Sequence, residues 1–250
     1  MIRVTLVLLV CLATVASAAE PRSGYSDASA ATRAMQDDDT GNPGFLWVQQ
    51  GETIWQERTG RSAASCADCH GDASAMRGVA ARYPAVDPTL GHLLTLEQRI
   101  NLSRATNQGA RPFPPESDSL LAISAFLGLQ SRGLPMAVAS DGPARPFYEA
   151  GRRLFQMRMG QLNLSCEQCH DQLAGQRLAG ALIPQGQVNG YPLYRLEWQG
   201  MGSLYRRIRN CISGVRGEPF AWDDPDLVNL ELFLGARATG LVVETPAVRP

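Results

Sequence analysis

The pentapeptide C-x-x-C-H stands twice in this chain, as Cys66-Ala-Asp-Cys69-His70 and as Cys166-Glu-Gln-Cys169-His170. The copies lie 100 residues apart, and the same offset relates Gly51 and Trp55 to Gly151 and Phe155. Further on, Arg99-Ile100-Asn101-Leu102-Ser103 corresponds to Arg207-Ile208-Arg209-Asn210-Cys211, an offset of 108. Pro112-Phe113 and the run Leu120 to Gly128 correspond to Pro219-Phe220 and Leu227 to Gly235, an offset of 107. A chain that repeats this much at near-constant spacing folds as two copies of one unit. The slip from 100 to 108 puts an insertion between the second C-x-x-C-H and Cys211.

Within each unit the pattern is helical, so the expected fold is mainly α with long loops. Residues 94–104 place Leu96, Ile100 and Leu102 at helical rather than alternating spacing. Ser117 or Asp118 caps the segment through Leu120, Ile123 and Leu127, and Asp224-Pro225 opens the segment through Leu227, Leu230 and Leu234. Gly128 and Gly235 read as left-handed C-terminal caps of these two helices. Pro- and Gly-rich connections between short helices leave little core of their own, which points to a unit organised around a cofactor. Residues 133–146 cluster Gly, Pro and Ser without apolar periodicity and separate the units. The expected domains are 45–136 and 145–250.

Arg3, the apolar run Val4 to Val15 and the small residues Ala16-Ser17-Ala18 read as a signal peptide over residues 1–18, cleaved near Ala18. Cys11 lies inside it, and Val10 is not the small residue a lipobox needs. The run is too short to span a bilayer, so the mature protein is expected in the periplasm without a membrane span, in an oxidising compartment. Residues 19–44, rich in Ala, Ser, Asp and Gly, read as an extended N-terminal arm laid on another surface, with a short linker or a solvated tail as the alternatives. The 44% of hydrophobic residues supports a buried core, and the net charge of -1 excludes a dedicated nucleic-acid binder.

In an exported protein the C-x-x-C-H spacing is the attachment signature of haem c. Cys66 and Cys69, then Cys166 and Cys169, would form thioethers to two macrocycles, with His70 and His170 as the proximal iron ligands. A redox disulfide or half a zinc site needs no His after each Cys pair. Two covalently bound haem c groups are therefore expected. Cys211 is then the one mature cysteine without a role, and an odd thiol in an oxidising compartment needs a reason. A buried inert thiol and an intermolecular disulfide are two readings. The third is ligation: Cys211 lies where a distal ligand can return over the second haem, and a thiolate suits ferric iron and lowers its potential.

The paired units, Arg207-Ile208-x-x-Cys211 and the tail Glu244-Thr-Pro-Ala-Val-Arg249 resemble the SoxA family, over essentially the whole mature protein. Members are dihaem subunits of the SoxAX cytochromes of thiosulfate oxidation. The resemblance implies two tandem cytochrome c-like domains and an L-cysteine S-thiosulfotransferase activity. In that activity thiosulfate is oxidatively coupled to a cysteine of a SoxYZ-type carrier protein and two electrons are released. It also implies a SoxX-like monohaem partner and a downstream cytochrome c acceptor. Cys211 becomes both axial ligand and catalytic sulfur, carried as a persulfide, and Arg207 becomes the substrate-binding residue. Thiosulfate is a dianion, so a guanidinium fork beside the sulfur suits it. Arg206, Arg209 and Arg216 are weaker candidates, and a haem propionate is the alternative partner for Arg207.

The first unit departs from the pattern, because Ser103 stands where many members carry a ligand Cys. The sixth ligand of the first haem is left to His92, the one His outside the motifs, with Met76 and Met136 as thioether alternatives. Three competing readings remain. One is a non-enzymatic dihaem electron carrier with Met201 over the second iron; the others are a dihaem peroxidase and a thiosulfate dehydrogenase.

Overall fold

The computed structural model describes residues 20–178 and 180–250. The expected signal peptide and Cys11 lie outside them. Ahead of the first repeat runs α1 (Ala30–Asp37), capped by Ser29, whose Oγ accepts from the Thr32 N–H at 3.1 Å. The first repeat carries α2 (Phe45–Gln56), α3 (Cys66–His70), α4 (Leu96–Ser103), a π-turn at Arg104–Gln108 and α5 (Asp118–Leu129). The second carries α6 (Arg145–Gln156), a π-turn at Gln168–Gln172, α7 (Leu204–Gly214) and α8 (Pro225–Arg237). Strands are short. β1 (Ala85–Val86) and β2 (Leu93–Leu94) pair antiparallel, as do β3 (Arg177–Leu178) and β4 (Ala181–Leu182). β5 (Leu193–Arg195) is flanked by antiparallel β6 (Gly200–Gly202) and parallel β7 (Ala247–Arg249).

The duplication is a packing rule as well as a sequence pattern. In each unit the first long helix crosses the last, α2 on α5 and α6 on α8. The crossing is set by a glycine, because a Cβ at Gly51 would stand 2.2 Å from the Ala122 carbonyl oxygen and one at Gly151 2.0 Å from that of Asn229. Trp55 and Phe155, each 2% exposed, fill the equivalent place beneath the crossing. Burial of an aromatic of this size contributes about 2–3 kcal/mol.

Gly128 and Gly235 are not caps. Both helices run on, to Leu129 and Arg237. A Cβ at Gly128 would meet Thr245 Cγ2 at 2.7 Å, and one at Gly235 would meet Val138 Cγ2 at 3.1 Å. Their missing side chains admit distant segments rather than ending a helix.

The arm is neither uniformly extended nor a solvated tail. Gln36 Oε1 accepts from the Val248 N–H at 3.0 Å, and Asn42 Nδ2 donates to the Pro246 carbonyl at 2.8 Å. The first contact covers β7, an edge strand that would otherwise expose its backbone, and the second holds the residue just before it. The C-terminal tail also joins the units: the Val243 N–H donates to Leu134 O and the Met136 N–H to Leu241 O, both at 2.8 Å. Among the described residues no helix is long and apolar enough to cross a membrane.

Candidate functional site

In the first unit the motif is a helix start. Ser65 Oγ accepts from the Asp68 N–H at 3.0 Å, and Asp68 Oδ2 accepts from the Ser65 N–H at 2.8 Å. This reciprocal cap launches α3 at Cys66, so Cys66, Cys69 and His70 stand at i, i+3 and i+4 on one face. They line a cavity of about 240 Å³, together with Ile54, Trp55, Leu96, Ile100, Phe113, Ile123 and Leu127. An apolar slot with two thiols and an imidazole in its wall fits a porphyrin held by two thioethers and one axial nitrogen.

The sixth-ligand candidates separate here. Met76 lines this cavity, as does Ser103. His92 does not: the β1–β2 connection turns at Asp87 to Gly91 and leaves its side chain exposed, with its carbonyl accepting from the Asp87 N–H. Met136 is buried in the second unit's core. Of the three candidates, Met76 is the one whose side chain lines the slot.

The second unit repeats the cap with a different residue. Ser165 Oγ accepts from the Gln168 N–H at 3.3 Å, and Gln168 Oε1 accepts from the Ser165 N–H at 2.9 Å. The following π-turn carries His170, whose Nδ1 lies 2.8 Å from the Pro184 carbonyl. A carbonyl only accepts, so Nδ1 holds the proton and Nε2 keeps its lone pair for a metal. Gly186, at φ +71°, closes on the ring so tightly that a Cβ would meet Cγ and Nδ1 at 3.0 Å. Burial pushes the His170 pKa down, and the positive charges of Arg207 and Arg237 push it further. The imidazole is thus held neutral and aimed, as an axial ligand must be.

Helix α7 begins at a Ser203 cap, whose Oγ accepts from the Arg206 N–H at 3.1 Å, and carries Arg207 and Cys211 one turn apart. Burial pushes the Cys166 thiol up to about 11, and the neighbouring Cys211 charge raises it further. Cys169 is raised by the same two causes. Tyr191 is held up to about 12 by burial, against the opposing pull of Arg207 and Arg195. Burial lowers Arg195, and Arg207 adds to that before Cys211 opposes it. Cys211, Arg207, Arg195 and Tyr191 therefore share one enclosed corner beside the second motif.

The two repeats differ in the matching arginine. Arg99 is bound by Asp87 at 2.6 Å, whereas Arg207 makes no salt bridge among the described residues. Of the weaker candidates, Arg206 lies over the Trp198 ring at 4.3 Å and Arg209 over Trp222 at 4.5 Å. Arg216 serves the backbone, its carbonyl accepting from the Gln161 N–H at 3.2 Å. Met201 is 2% exposed in the first unit's core, away from the second motif. Pro184 and Gly186 lie in the inserted stretch that the change of offset marks and carry no sequence signature of their own. Tyr191-Pro192 repeats Tyr83-Pro84 at the offset of 108, so Arg195 stands where the first unit has Asp87.

Comparison with known proteins agrees with this geometry. The family model described as SoxA/TsdA, cytochrome c domain, matches residues 50–136 and again 150–243. The L-cysteine S-thiosulfotransferase subunit SoxA of Rhodovulum sulfidophilum is 38% identical over 92% of this chain and 80% of its own length. That of Pseudaminobacter salicylatoxidans is 39% identical over 92% and 81%. The crystal structure of SoxXA from P. pantotrophus superposes with a TM-score of 0.89 at 35% identity, covering 91% of this chain and 86% of that one. Two cytochrome c domains in tandem carry two haem c groups. With its duplicated motif, its twin helix crossings and these matches over most of its length, the chain belongs to the SoxA family of dihaem cytochromes c.

Proposed function

We propose that this chain is the dihaem subunit of a periplasmic L-cysteine S-thiosulfotransferase. It oxidatively couples thiosulfate to a cysteine of a SoxYZ-type carrier, works with a SoxX-like monohaem subunit and passes electrons to a downstream cytochrome c. The observation that carries this reading is the convergence on α7, where Cys211 returns to the second C-x-x-C-H with Arg207 one turn away. Cys66, Cys69, Cys166 and Cys169 would hold the two haems through thioethers, and His70, His170 and Cys211 would supply ligands to the irons.

The reaction joins a carrier thiol to the outer sulfur of thiosulfate, giving a thiosulfonate disulfide, one proton and two electrons. Each haem c, when bound, supplies a one-electron iron couple. Arg207, without a carboxylate partner among the described residues, binds the sulfonate oxygens with charge-assisted hydrogen bonds worth about 1.5–3 kcal/mol. Arg195 adds a second positive charge in the same corner. Cys211, as a persulfide, would stand beside the bound thiosulfate as a polarizable nucleophile and leaving group, and the outer sulfur that joins the carrier comes from thiosulfate. The Pro184 carbonyl fixes the His170 tautomer, and Tyr191 stays un-ionised, so neither takes up the proton released.

The test is mass spectrometry of a SoxYZ-type carrier incubated with thiosulfate, an oxidised cytochrome acceptor and the assembled heterodimer. The carrier cysteine should gain one thiosulfonate group with wild-type protein and none with Cys211→Ala loaded with both haems. Equal labelling by the two proteins would remove Cys211 from the chemistry.

A further inference from the structure

Between the two units lies a second cavity, of about 150 Å³, walled by α4 and α5 on one side and α7 and α8 on the other. It contains none of the motif cysteines or histidines. Three polar atoms in its wall lack partners. Ser124, 0% exposed, leaves its Oγ without a hydrogen bond, and Tyr205 Oη and Glu116 Oε2 are buried in the same condition. Unpartnered buried polar atoms around a cavity of this size mark ordered water.

Glu97 from α4 and Glu231 from α8 face the same space. The charged and titratable groups around them are acidic or phenolic: each other, Glu116, Asp224 and Tyr205, with Tyr83 and Tyr191 also in the wall. Arg206 is the nearby cation, and it acts on Glu116. Burial pushes both Glu97 and Glu231 above the usual carboxylate range, and the charge of Glu97 raises Glu231 again. Two carboxylates in the wall of one cavity, with no cation acting on either, do not both stay ionised.

We propose that this cavity is a hydrated proton-binding site, in which Glu97 and Glu231 hold a proton between the units and exchange it as the first unit changes redox charge. Tyr83 and Leu96 line both this cavity and the haem slot of the first unit, so one layer of side chains separates them. An electron arriving in the first unit adds a negative charge, and one proton from bulk water bound at the pair cancels it. Oxidation returns both. The exchange rests on the haem reading above; the proton site itself does not.

Infrared spectra of the full-length protein with haem loaded test the site. At neutral pH a protonated-carboxyl carbonyl band is expected, lost or shifted in Glu231→Gln or Glu97→Gln and unchanged in the exposed control Glu52→Gln. Absorbance of both haems in each Gln variant shows that it has folded. Spectroelectrochemical titration then reads the exchange. The first-unit potential should fall as pH rises in wild type and Glu52→Gln, and the slope should flatten in Glu231→Gln. No band at neutral pH, a band indifferent to both Gln variants, or equal slopes throughout would overturn the proposal. A protein that shows the band but binds no haem supports the proton site and defeats the haem reading instead.

Discussion

Gly186→Ala separates the aiming of His170 from its mere presence. Two costs follow from the structure. An L-residue at φ +71° costs about 1–2 kcal/mol. The new methyl would also stand 3.0 Å from the imidazole, and relieving that overlap by displacing the ring costs about 1 kcal/mol more. Displacement also strains the 2.8 Å bond to Pro184. The sum, roughly 2–3 kcal/mol, corresponds to a fall in melting temperature of about 4–12 °C for a protein of this size. Gly175→Ala is the matched control, at φ +87° with nothing within 4 Å of its Cβ. It carries the backbone cost and leaves the ring alone. Thermal unfolding and the ferric absorption spectrum are read together. Gly186→Ala should melt below Gly175→Ala and alter the spectrum of one haem. Equal melting temperatures with identical spectra would show that Gly186 does not position His170.

Four further outcomes are expected. Arg207→Ala should lower kcat/KM for thiosulfate by about 10- to 150-fold, the equivalent of one charge-assisted contact, with both haems retained; a loss under threefold would assign the guanidinium elsewhere. Gly151→Ala should destabilise the second unit by more than about 3 kcal/mol in denaturant unfolding, because helix backbone rather than a yielding side chain stands 2.0 Å from the new Cβ. Tyr191 has its folded pKa raised to about 12, so its contribution to stability is complete below the unfolded value of about 10 and lost as pH rises from there toward 12; Tyr191→Phe should flatten the melting-temperature profile in that alkaline window. Met76→Ala should change the spectrum of the first haem while His92→Ala should not, and the reverse pattern would restore His92 as the ligand.

What the sequence discloses here is local. The haem motifs, the Ser117 and Asp224 caps and the helix from Leu96 are each settled within a few residues, and each forms as its pattern implies. The readings that changed depend on partners far along the polypeptide. Gly128 and Gly235 carry the composition of a helix end, yet Thr245 and Val138 occupy the space their side chains would fill. The arm is polar enough to stay solvated, but the exposed backbone of β7 gives Gln36 and Asn42 partners more than 200 residues away. The fate of His92 depends on which way a two-stranded hairpin faces. Tyr191-Pro192 repeats Tyr83-Pro84 at the offset of 108 and Arg195 falls opposite Asp87, but the repeat does not disclose that either reaches the corner of Cys211. Cys211 is legible only because five cysteines lie beyond Cys11 and four of them fall in the two C-x-x-C-H motifs.

For this chemistry to run, the sulfur of Cys211 must be bonded to iron in the second unit. Electron paramagnetic resonance of the ferric protein reads that bond directly. One low-spin signal of the thiolate type is expected from wild type, since Ser103 supplies no thiolate to the first haem, and it should vanish in Cys211→Ala while the other haem's signal persists. Two thiolate signals, or one that survives the substitution, would contradict it.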